Sequence, residues 1–292
     1  MPATILNGRE TSDRILNDEL LKSEVEKLNP QLVIVQVGDN DASNVYIGNK
    51  LKACKKIAMR AKHLKFNTDI SFENLMKAIR ELNEDSDVTG FIIQLPLPEH
   101  LKKIETEILD AVHPLKDVDG LSSDNLGLTM HSSTLDHLTP ATPAGMIRLL
   151  KEYGTDLRGK IAIMIGQGKV VGKPLGAMLI QQGVSPFICH IDTPPNIIKD
   201  FSQRYADLIF SAVGKHGIVT PDMVKPGAIV IDAGITRHEG RLVGDVSGYD
   251  EILEIAQAIT PVPGGVGPMT ILELVLNVVK AKKLQSAANN QH

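Results

Sequence analysis

Cysteine, tryptophan and long apolar runs are scarce in this sequence, and each scarcity excludes a class of protein. The 292 residues include two cysteines and no tryptophan, and aromatic residues make up 3%. Cys54 and Cys189 are far apart and outside any Cys-x-x-Cys spacing, so they indicate neither a disulfide framework nor a zinc site. No apolar run approaches the ~18 residues of a membrane span, and the N-terminus has no basic region followed by an apolar one. We therefore expect a cytoplasmic location, without export by that route or a membrane span.

An excess of positive charge is also missing. The 31 lysines and arginines against 35 acidic residues give a net charge of −4, so no overall basic field attracts nucleic acid or an anionic membrane. A small-molecule partner fits better. The histidines form no His-Glu-x-x-His pattern and no cluster with ligand spacing, so we expect no protein-bound catalytic metal. No serine lies in a Gly-x-Ser-x-Gly elbow, which weakens an acyl-transfer hypothesis.

The residues that are present predict an α/β protein with two domains. Hydrophobic residues at 42% and charged residues at 23% are typical of a globular chain, and 292 residues exceed the usual single-domain size of about 100–200. Helical and strand patterns alternate, as in parallel α/β structure, and the polar segment 122–139 reads as a connection. We predict helices over 13–28, 43–59, 71–83, 104–112, 142–153 and 270–284, and strands over 32–37, 90–94, 161–165, 186–191, 208–211 and 228–232.

A glycine-rich turn follows the apolar strand predicted at 161–165. Gly166, Gly168 and Gly172 have the spacing Gly-x-Gly-x-x-x-Gly, one residue longer than the usual dinucleotide fingerprint. In a strand-turn-helix context, the N-terminal amides of the helix could bind a pyrophosphate. The glycines could instead serve backbone geometry alone. Asp192, at the end of the next predicted strand, could accept hydrogen bonds from both ribose hydroxyls or be a solvated loop aspartate.

A second group of polar residues points to one cleft in the first half of the chain. Tyr46 and Lys50 are four apart and share one face of a predicted helix, Gln94 ends an apolar strand, and Asp119 lies in an Asp-Val-Asp-Gly turn. Open α/β folds bind ligands at the carboxyl ends of their strands, where these groups could converge. The alternatives are a solvated lysine, a satisfied strand-end amide at Gln94, and turn-forming aspartates at Asp117 and Asp119.

These segments, taken together, resemble the bifunctional methylenetetrahydrofolate dehydrogenase/methenyltetrahydrofolate cyclohydrolase family over nearly the whole chain. The motifs that carry the resemblance occur in the family's order. They are Tyr46-x-x-x-Lys50 followed by Lys52-Ala-Cys54, Gln94-Leu-Pro-Leu-Pro98, Lys116-Asp-Val-Asp-Gly120, the turn from Gly166 to Pro174, and Pro261-Val-Pro-Gly-Gly-Val-Gly-Pro-Met-Thr270.

The resemblance implies a fold, an assembly and a reaction. The fold would comprise an α/β folate-binding catalytic domain at 1–140, to which a C-terminal helix at 270–292 returns, and a Rossmann-like NAD(P)-binding domain at 141–269. A homodimer is implied, with folate and dinucleotide in the cleft between the domains of each subunit. The reaction would be oxidation of 5,10-methylenetetrahydrofolate with NADP, then hydrolysis to 10-formyltetrahydrofolate.

The resemblance also implies a role for each motif residue. Lys50, hydrogen-bonded to Gln94, would transfer protons in the cyclohydrolase step, Tyr46 would stack on the folate, and Asp119 would bind the pterin edge. A lysine beside a cationic substrate in a partly apolar cleft should have a lowered pKa. Further folate contacts are implied at Pro263, Gly264 and Gly267. Dinucleotide contacts are implied at Thr142, Gly166, Gln167, Gly168, Ile191, Asp192 and Ile235.

The dinucleotide site is where the sequence departs from the family. Many relatives have Arg-Ser after the first glycine and a serine followed by a basic residue after the second strand, groups that suit a 2′-phosphate. Loss of the arginine and gain of a carboxylate favour NAD, whereas Lys169, Lys173 or His190 could replace the positive charge. NADP is the predicted cofactor, with NAD as the alternative. Ala141 replaces a common cysteine without a predicted consequence. The departing residues are Gln167, Gly168, Ile191 and Asp192.

Two other functions compete with the bifunctional enzyme. One is an NAD-preferring dehydrogenase with weak cyclohydrolase activity, and the presence of Lys50 and Gln94 argues against its weak second activity. The other is a non-catalytic nucleotide-binding homologue, since a fold alone does not establish turnover.

Overall fold

The computed structural model describes residues 2–289, which form two compact units. The six-stranded unit comprises the residues up to Ser12 and Thr142–Thr270, and the three-stranded unit comprises Asp13–Ala141 and the residues from Ile271 onward. The predicted division at 140 and 270 differs from this one mainly in the N-terminal segment. Residues 4 and 5 pair with Ala258 and Ile259, so this segment belongs to the six-stranded unit and not to the three-stranded one.

The elements alternate along the chain. The first part contains β1 (Thr4–Ile5), α1 (Gly8–Leu16), α2 (Glu19–Leu28), β2 (Gln31–Val37), α3 (Asp41–Lys56), β3 (Arg60–Phe66), α4 (Phe72–Glu84), β4 (Gly90–Ile93), α5 (Glu99–Lys102), α6 (Glu105–Asp110) and α7 (Ser123–His131). The second part contains α8 (Ala141–Glu152), β5 (Ile161–Ile165), α9 (Gly172–Gln181), β6 (Ser185–Cys189), α10 (Pro195–Tyr205), β7 (Leu208–Ser211), a 3₁₀ turn (Pro221–Met223), β8 (Ile229–Asp232), β9 (Thr236–His238), β10 (Arg241–Val243), α11 (Tyr249–Ile255), β11 (Ala258–Ile259) and α12 (Val266–Asn289).

The three-stranded unit is built on a parallel sheet with the order β3-β2-β4. Every residue of β2 and β4 is buried, as expected for a parallel sheet covered by helices on both faces. The amide of Phe91 donates to Lys116 O at 2.9 Å, and Phe91 bridges Asp117 in parallel. This pairing carries the segment 116–120 alongside the end of β4.

The C-terminal helix α12 fixes this segment from its residues beyond 270. Asn277 Nδ2 donates to Val118 O at 3.0 Å and to Thr139 O at 2.8 Å. Gln285 Nε2 donates to Thr89 O and Leu115 O. Side-chain amides of α12 therefore hold this helix against the first half of the chain by donating to its backbone carbonyl groups.

The six-stranded unit has a parallel sheet with the order β1-β11-β8-β7-β5-β6. Strands β5, β7 and β8 are apolar and almost wholly buried. The loops after β5, β6, β7 and β8 all lie at the carboxyl edge of this sheet, the edge at which doubly wound folds bind ligands. The predicted α/β architecture with a Rossmann-like sheet is confirmed. Within residues 2–289, no helix combines the length and apolar character needed to cross a membrane.

Several element boundaries differ from the predictions, each for a local reason. The helix expected over 13–28 is two helices, because the carboxylate of Asp18 accepts from the amides of Leu20 and Leu21 and starts α2. Strand β3 was missed because it is an edge strand without an apolar run. The connection expected over 122–139 contains α7, which buries Asn125 and Thr129.

Candidate active site

Lys50 lies on the buried face of α3. The side chain of Asn40 accepts the Ser43 amide and caps this helix, and its buried positions then recur with helical spacing at Ser43, Ile47, Lys50 and Cys54. Lys50 is only 7% exposed. The interpretation of Lys50 as a solvated surface lysine is therefore wrong, and a buried amine of this kind needs a polar partner.

That partner is Gln94, the residue directly after β4. Lys50 Nζ donates to Gln94 Oε1 at 2.9 Å, and Gln94 Nε2 donates to Leu95 O at 2.7 Å. Because Leu95 O can only accept, the amide must point its oxygen towards Lys50. The backbone amide of Gln94 also donates to Val35 O, which extends the sheet by one bond. Gln94 is thus a strand-end amide that also orients the lysine.

Burial lowers the pKa of Lys50, and the negative charge of Asp119 opposes that shift. Burial has the opposite effect on the Cys54 thiol and raises its pKa to about 12. Cys54 therefore stays protonated and carries no charge that could pair with the Lys50 ammonium. Because the pKa is lowered, a larger fraction of Lys50 is the neutral amine at physiological pH, as a proton-transfer group requires.

The two aspartates of the Asp-Val-Asp-Gly turn have different surroundings. Asp117 is buried, and its carboxylate accepts from the amides of Gly120 and Ser122 and from Asn125 Nδ2 at 2.8–3.0 Å. The turn-forming interpretation therefore holds for Asp117. The side chain of Asp119 accepts no hydrogen bond from the residues 2–289. Its carboxylate is free to receive donors from a ligand.

The environment of Asp119 suits a ligand with hydrogen-bond donors. Burial raises its pKa, the positive charge of Lys50 opposes this, and Asp117 adds to the rise. The turn is fixed by Gly120, whose φ of +70° and close approach to Thr139 exclude a side chain. Tyr46 lies one helical turn before Lys50, is half-buried, and has its pKa raised by burial.

The glycine-rich turn joins β5 to α9. Gly166 has φ of +108°, and a Cβ on Gly172 would lie 1.9 Å from Gly166 O, so both glycines are required by the backbone. Gly168 has no such requirement, since a Cβ there would meet nothing within 4 Å. No side chain caps α9, but the Lys173 amide donates to Gly168 O at 3.1 Å and Pro174 has no N–H, so Gly172 is the one of its first three residues whose amide can donate to an anion. The backbone-only interpretation thus accounts for two of the three glycines and leaves Gly168 without a backbone reason.

Exposed apolar side chains follow strands β6, β7 and β8 at the carboxyl edge of the same sheet, in which β5 lies between β6 and β7. Ile191 is 92% exposed just after β6, and Val213 and Ile235 are exposed after β7 and β8. Apolar side chains exposed at a strand edge are suited to the flat rings of a dinucleotide. Strand β6 ends at Cys189 rather than at 191 as predicted, which places Ile191 in the loop.

Asp192 is exposed and pairs with a histidine. His190 Nδ1 lies 2.8 Å from Asp192 Oδ2 and 3.2 Å from the Asp192 amide nitrogen, and its protonation decides which of the two it bonds. In either state His190 bonds within its own loop, which argues against it as the cation that binds a 2′-phosphate. Gln167, Lys169 and Lys173 are exposed on the turn and on the first residues of α9.

The segment 261–267 is held by the N-terminal segment of the same unit. The Arg9 amide donates to Gly264 O at 2.8 Å, and a Cβ on Gly8 would lie 1.9 Å from Gly265 O. The Val262–Pro263 peptide is cis, and Gly264 has φ of +115°. Gly267 has open space where a Cβ would be. With this packing, Pro263 is exposed and Gly264 is half-buried.

Thr142 is the second residue of α8, which begins at Ala141, one residue before the predicted start. Its Oγ1 accepts from Thr270 Oγ1 at 3.2 Å. Sequence reasoning also missed two buried aspartates at the edge of the six-stranded sheet, Asp232 and Asp245. The nearby glycines at 234 and 244 were the available signal. Residues 2–289 contain no group of three or more His, Cys, Asp or Glu that could hold a metal ion.

Comparisons with known proteins agree across the chain. The family described as "Tetrahydrofolate dehydrogenase/cyclohydrolase, catalytic domain" matches residues 6–119, and its "NAD(P)-binding domain" matches residues 140–286. A protein named "Bifunctional protein FolD" from Acetivibrio thermocellus is 43% identical over 292 residues, which cover 98% of this chain and 99% of the relative.

Solved structures give the same result. The bifunctional FolD methylenetetrahydrofolate dehydrogenase/cyclohydrolase from Campylobacter jejuni has a TM-score of 0.90 at 39% identity and covers 97% of this chain and 99% of its own. The Trypanosoma brucei methylenetetrahydrofolate dehydrogenase-cyclohydrolase, solved with NADP and an inhibitor, has a TM-score of 0.90 at 30% identity, with 98% and 99% covered.

Proposed function

Because the chain belongs to the tetrahydrofolate dehydrogenase/cyclohydrolase family, we propose that it oxidises 5,10-methylenetetrahydrofolate and hydrolyses the methenyl product to 10-formyltetrahydrofolate. The observation that carries the hydrolytic half is the buried hydrogen bond between Lys50 and Gln94. The glycine turn between β5 and α9 supports the dinucleotide half. A non-catalytic homologue has no need of a desolvated lysine held in this way.

The chemistry of the first step comes from the dinucleotide, which when bound accepts a hydride from the methylene carbon. The chain's own groups bind and orient. We propose pyrophosphate contacts from the backbone at Gly166, Gln167 and Gly168, and contacts to the rest of the dinucleotide from the side chains of Thr142, Ile191, Asp192 and Ile235. Gly168 supports this assignment, since the fold itself gives no reason for a glycine there.

In the hydrolytic step, we propose that Lys50 moves the proton. As its neutral amine, Lys50 accepts a proton from the water that attacks the methenyl carbon, giving the neutral hydrate. The C–N5 bond then breaks as N5 takes this proton from Lys50, and the hydroxyl proton leaves to solvent as the formyl group forms on N10. The sum is one water consumed and one proton released. Gln94 keeps Nζ in place throughout.

The other folate contacts follow from the chemistry of each group. The carboxylate of Asp119, which accepts no hydrogen bond from the described part of the chain, can accept two from the amino and ring N–H groups of the pterin. The ring of Tyr46 can stack on the folate one helical turn from Lys50. Pro263, Gly264 and Gly267 complete the proposed folate contacts, since their backbone lets a ligand approach closely.

NADP is the proposed cofactor, and NAD is the second candidate. The exposed carboxylate of Asp192 favours NAD, because it would accept from ribose hydroxyls and repel a 2′-phosphate. Lys169 and Lys173, both exposed near the turn, favour NADP through their positive charge.

We also propose a homodimer in the cytoplasm. Strand β6 is an edge of its sheet, and Ile188 within it and Ile180 on α9 are exposed, which supports association through an apolar surface. Both cysteines are free and buried, as suits a reducing compartment. Molar mass from light scattering over a dilution series tests the dimer, and a monomer at all concentrations would exclude it.

The experiment that tests the function measures initial rates with 5,10-methylenetetrahydrofolate at matched NADP⁺ and NAD⁺ concentrations. Reduced nicotinamide and the methenyl product are followed together, and hydrolysis of supplied methenyltetrahydrofolate is measured separately. Turnover of both steps is expected. No rate with either dinucleotide and no hydrolysis would support the non-catalytic homologue instead.

A further inference from the structure

We propose that Asp245 is a positioning residue for the dinucleotide site, which it maintains with Asp232 by fixing the chain segments after β7 and β8. Neither aspartate is among the residues assigned above to contact a ligand, and both are almost wholly buried. The inference rests on the proposed dinucleotide-dependent function. It adds to that function the groups that keep two of the site's loops in place.

The carboxylate of Asp245 is surrounded by donors from the segment after β7. Its Oδ2 accepts from Ser211 Oγ at 2.6 Å and from the Val213 amide at 2.7 Å, and its Oδ1 accepts from the Lys215 amide at 2.8 Å. Each hydrogen bond reaches a different residue of one five-residue loop. A single side chain therefore determines the path of the chain from Ser211 to Lys215.

Asp232 holds Gly234 after β8 and the segment that follows β10. Its Oδ1 accepts from the amides of Gly234 and Asp245, and its Oδ2 accepts from the Val246 amide at 2.9 Å. The two aspartates are thus joined, since the backbone of one donates to the side chain of the other. Thr260 Oγ1 accepts from the Asp232 amide and fixes its backbone.

Glycines permit the close approach that this arrangement needs. A Cβ on Gly234 would lie 2.0 Å from Asp245 Oδ1, and a Cβ on Gly244 would lie 2.0 Å from Asp232 Oδ2. Neither carboxylate could occupy its place if these positions carried side chains. The glycines and the aspartates therefore form one arrangement. Gly234, two residues after Asp232, packs on the Asp245 carboxylate, and Gly244, directly before Asp245, packs on the Asp232 carboxylate.

The fixed segments lie directly against the dinucleotide turn. The position of a Cβ on Gly166 is 3.3 Å from Ala212 O and 3.4 Å from a methyl group of Val213. The Ile235 carbonyl is within 3.6 Å of the corresponding position on Gly214. Movement of residues 211–215 would therefore displace the atoms of Ala212 and Val213 that contact Gly166. It would also change the position of the exposed Ile235.

The physical requirement is for side chains whose two oxygens both accept hydrogen bonds. A buried charge is stable only when hydrogen bonds replace its hydration, and three N–H or O–H donors converge on each aspartate here. Asparagine has the same shape, but its NH₂ group is a donor. It would face one of the N–H or O–H donors from which the carboxylate oxygen accepts. Asp245→Asn therefore leaves the volume unchanged while it disrupts the donor arrangement.

The test compares dinucleotide binding with a reaction that needs no dinucleotide. NADP⁺ and NAD⁺ dissociation constants are measured by titration calorimetry on the whole chain, and hydrolysis of supplied methenyltetrahydrofolate is measured on the same samples. For D245N we expect the Kd of the preferred dinucleotide to rise about tenfold or more, with hydrolysis close to that of the wild type.

A matched serine pair gives a milder version of the same test. Ser211→Ala removes one donor from Asp245, and Ser202→Ala removes a hydroxyl that is equally buried in the same unit but lacks a hydrogen-bond partner among residues 2–289. We expect the dinucleotide Kd to rise about threefold in S211A and to stay unchanged in S202A. If D245N does not fold, this pair carries the test.

The outcomes separate the inference from the proposed function. Wild-type protein that binds neither dinucleotide would overturn the proposed function. Wild-type protein that binds one, with an equal Kd in folded D245N, would overturn this inference alone. Equal loss of hydrolysis and binding in a folded D245N, or equal Kd values in S211A and S202A, would show that these groups support general stability and not the dinucleotide site.

Discussion

The side-chain nitrogen of Lys50 lies 2.9 Å from the side-chain oxygen of Gln94, a contact between the middle of α3 and the residue after β4. The two residues are 44 positions apart in the chain, and the parallel sheet brings them together. The amine is buried at this contact and is therefore not fully hydrated, which lowers the pKa of Lys50.

Loss of the amine should separate the two activities. We expect Lys50→Met to reduce hydrolysis of methenyltetrahydrofolate by about 100-fold or more, because the proton-transfer group is removed. Dehydrogenase activity should persist, since hydride transfer needs no base. Lys52→Met, on the exposed side of the same helix, is the matched control and should change neither rate. Equal loss of both activities in a folded Lys50→Met variant would contradict this division.

The pH dependence of hydrolysis should follow the pKa of Lys50. Gln94→Glu places a carboxylate beside Nζ, which raises the pKa of Lys50 and moves the ascending limb of kcat to higher pH, because the neutral amine then forms later. Asp119→Asn removes a charge that raises this pKa, so the limb should move to lower pH. Rates are taken after subtraction of uncatalysed hydrolysis. Shifts in the same direction for the two variants would refute the assignment.

The choice of dinucleotide should depend on Asp192. We expect Asp192→Ser to raise kcat/KM for NADP⁺ relative to NAD⁺ by about tenfold, because a carboxylate that repels a 2′-phosphate is removed. Asp200→Ser, an exposed aspartate on α10, is the control for a general change in charge. An unchanged ratio in both variants would mean that Asp192 points away from the ribose.

Asn277 should contribute stability and keep the Asp119 turn in place. Asn277→Ala leaves the carbonyls of Val118 and Thr139 without their donor, and we expect the free energy of unfolding to fall by about 2 kcal/mol. The KM for folate should rise as well, since the same turn carries Asp119. Denaturant titration gives the first quantity and steady-state kinetics the second. Asn196→Ala, an exposed position on α10, should leave both unchanged.

The hydrogen bond from Arg9 to Gly264 allows a backbone test. Arg9→Pro removes the amide hydrogen in the first turn of α1, where proline is tolerated, and the preceding Gly8 is the residue least restricted by it. We expect the KM for methylenetetrahydrofolate to rise about fivefold because the 261–267 segment loses one tether. Arg9→Ala keeps the amide and should behave as the wild type. Equal KM values for the two variants would exclude a role for this hydrogen bond.

Local sequence patterns predicted most of the fold correctly because each depends on near neighbours. The apolar strands β2, β4, β5, β7 and β8 were readable as buried runs, and the glycine turn was readable from its place between β5 and α9. Strand β3 and helix α7 were not, since β3 lies at an edge and carries four exposed or half-exposed lysine, arginine and histidine side chains.

The sequence by itself determined the family, the parallel α/β architecture and the candidate residues Tyr46, Lys50, Gln94 and Asp119, because motifs and periodicity are properties of the chain. Only the tertiary structure decided which alternatives were true. It buried Lys50 against Gln94 and joined Asp232 to Asp245. It also gave Asp117 hydrogen bonds within its own turn, whereas the Asp119 side chain accepts none among residues 2–289. Partners far apart in the chain meet only when the sheets form, and burial then sets their pKa and their hydrogen bonds.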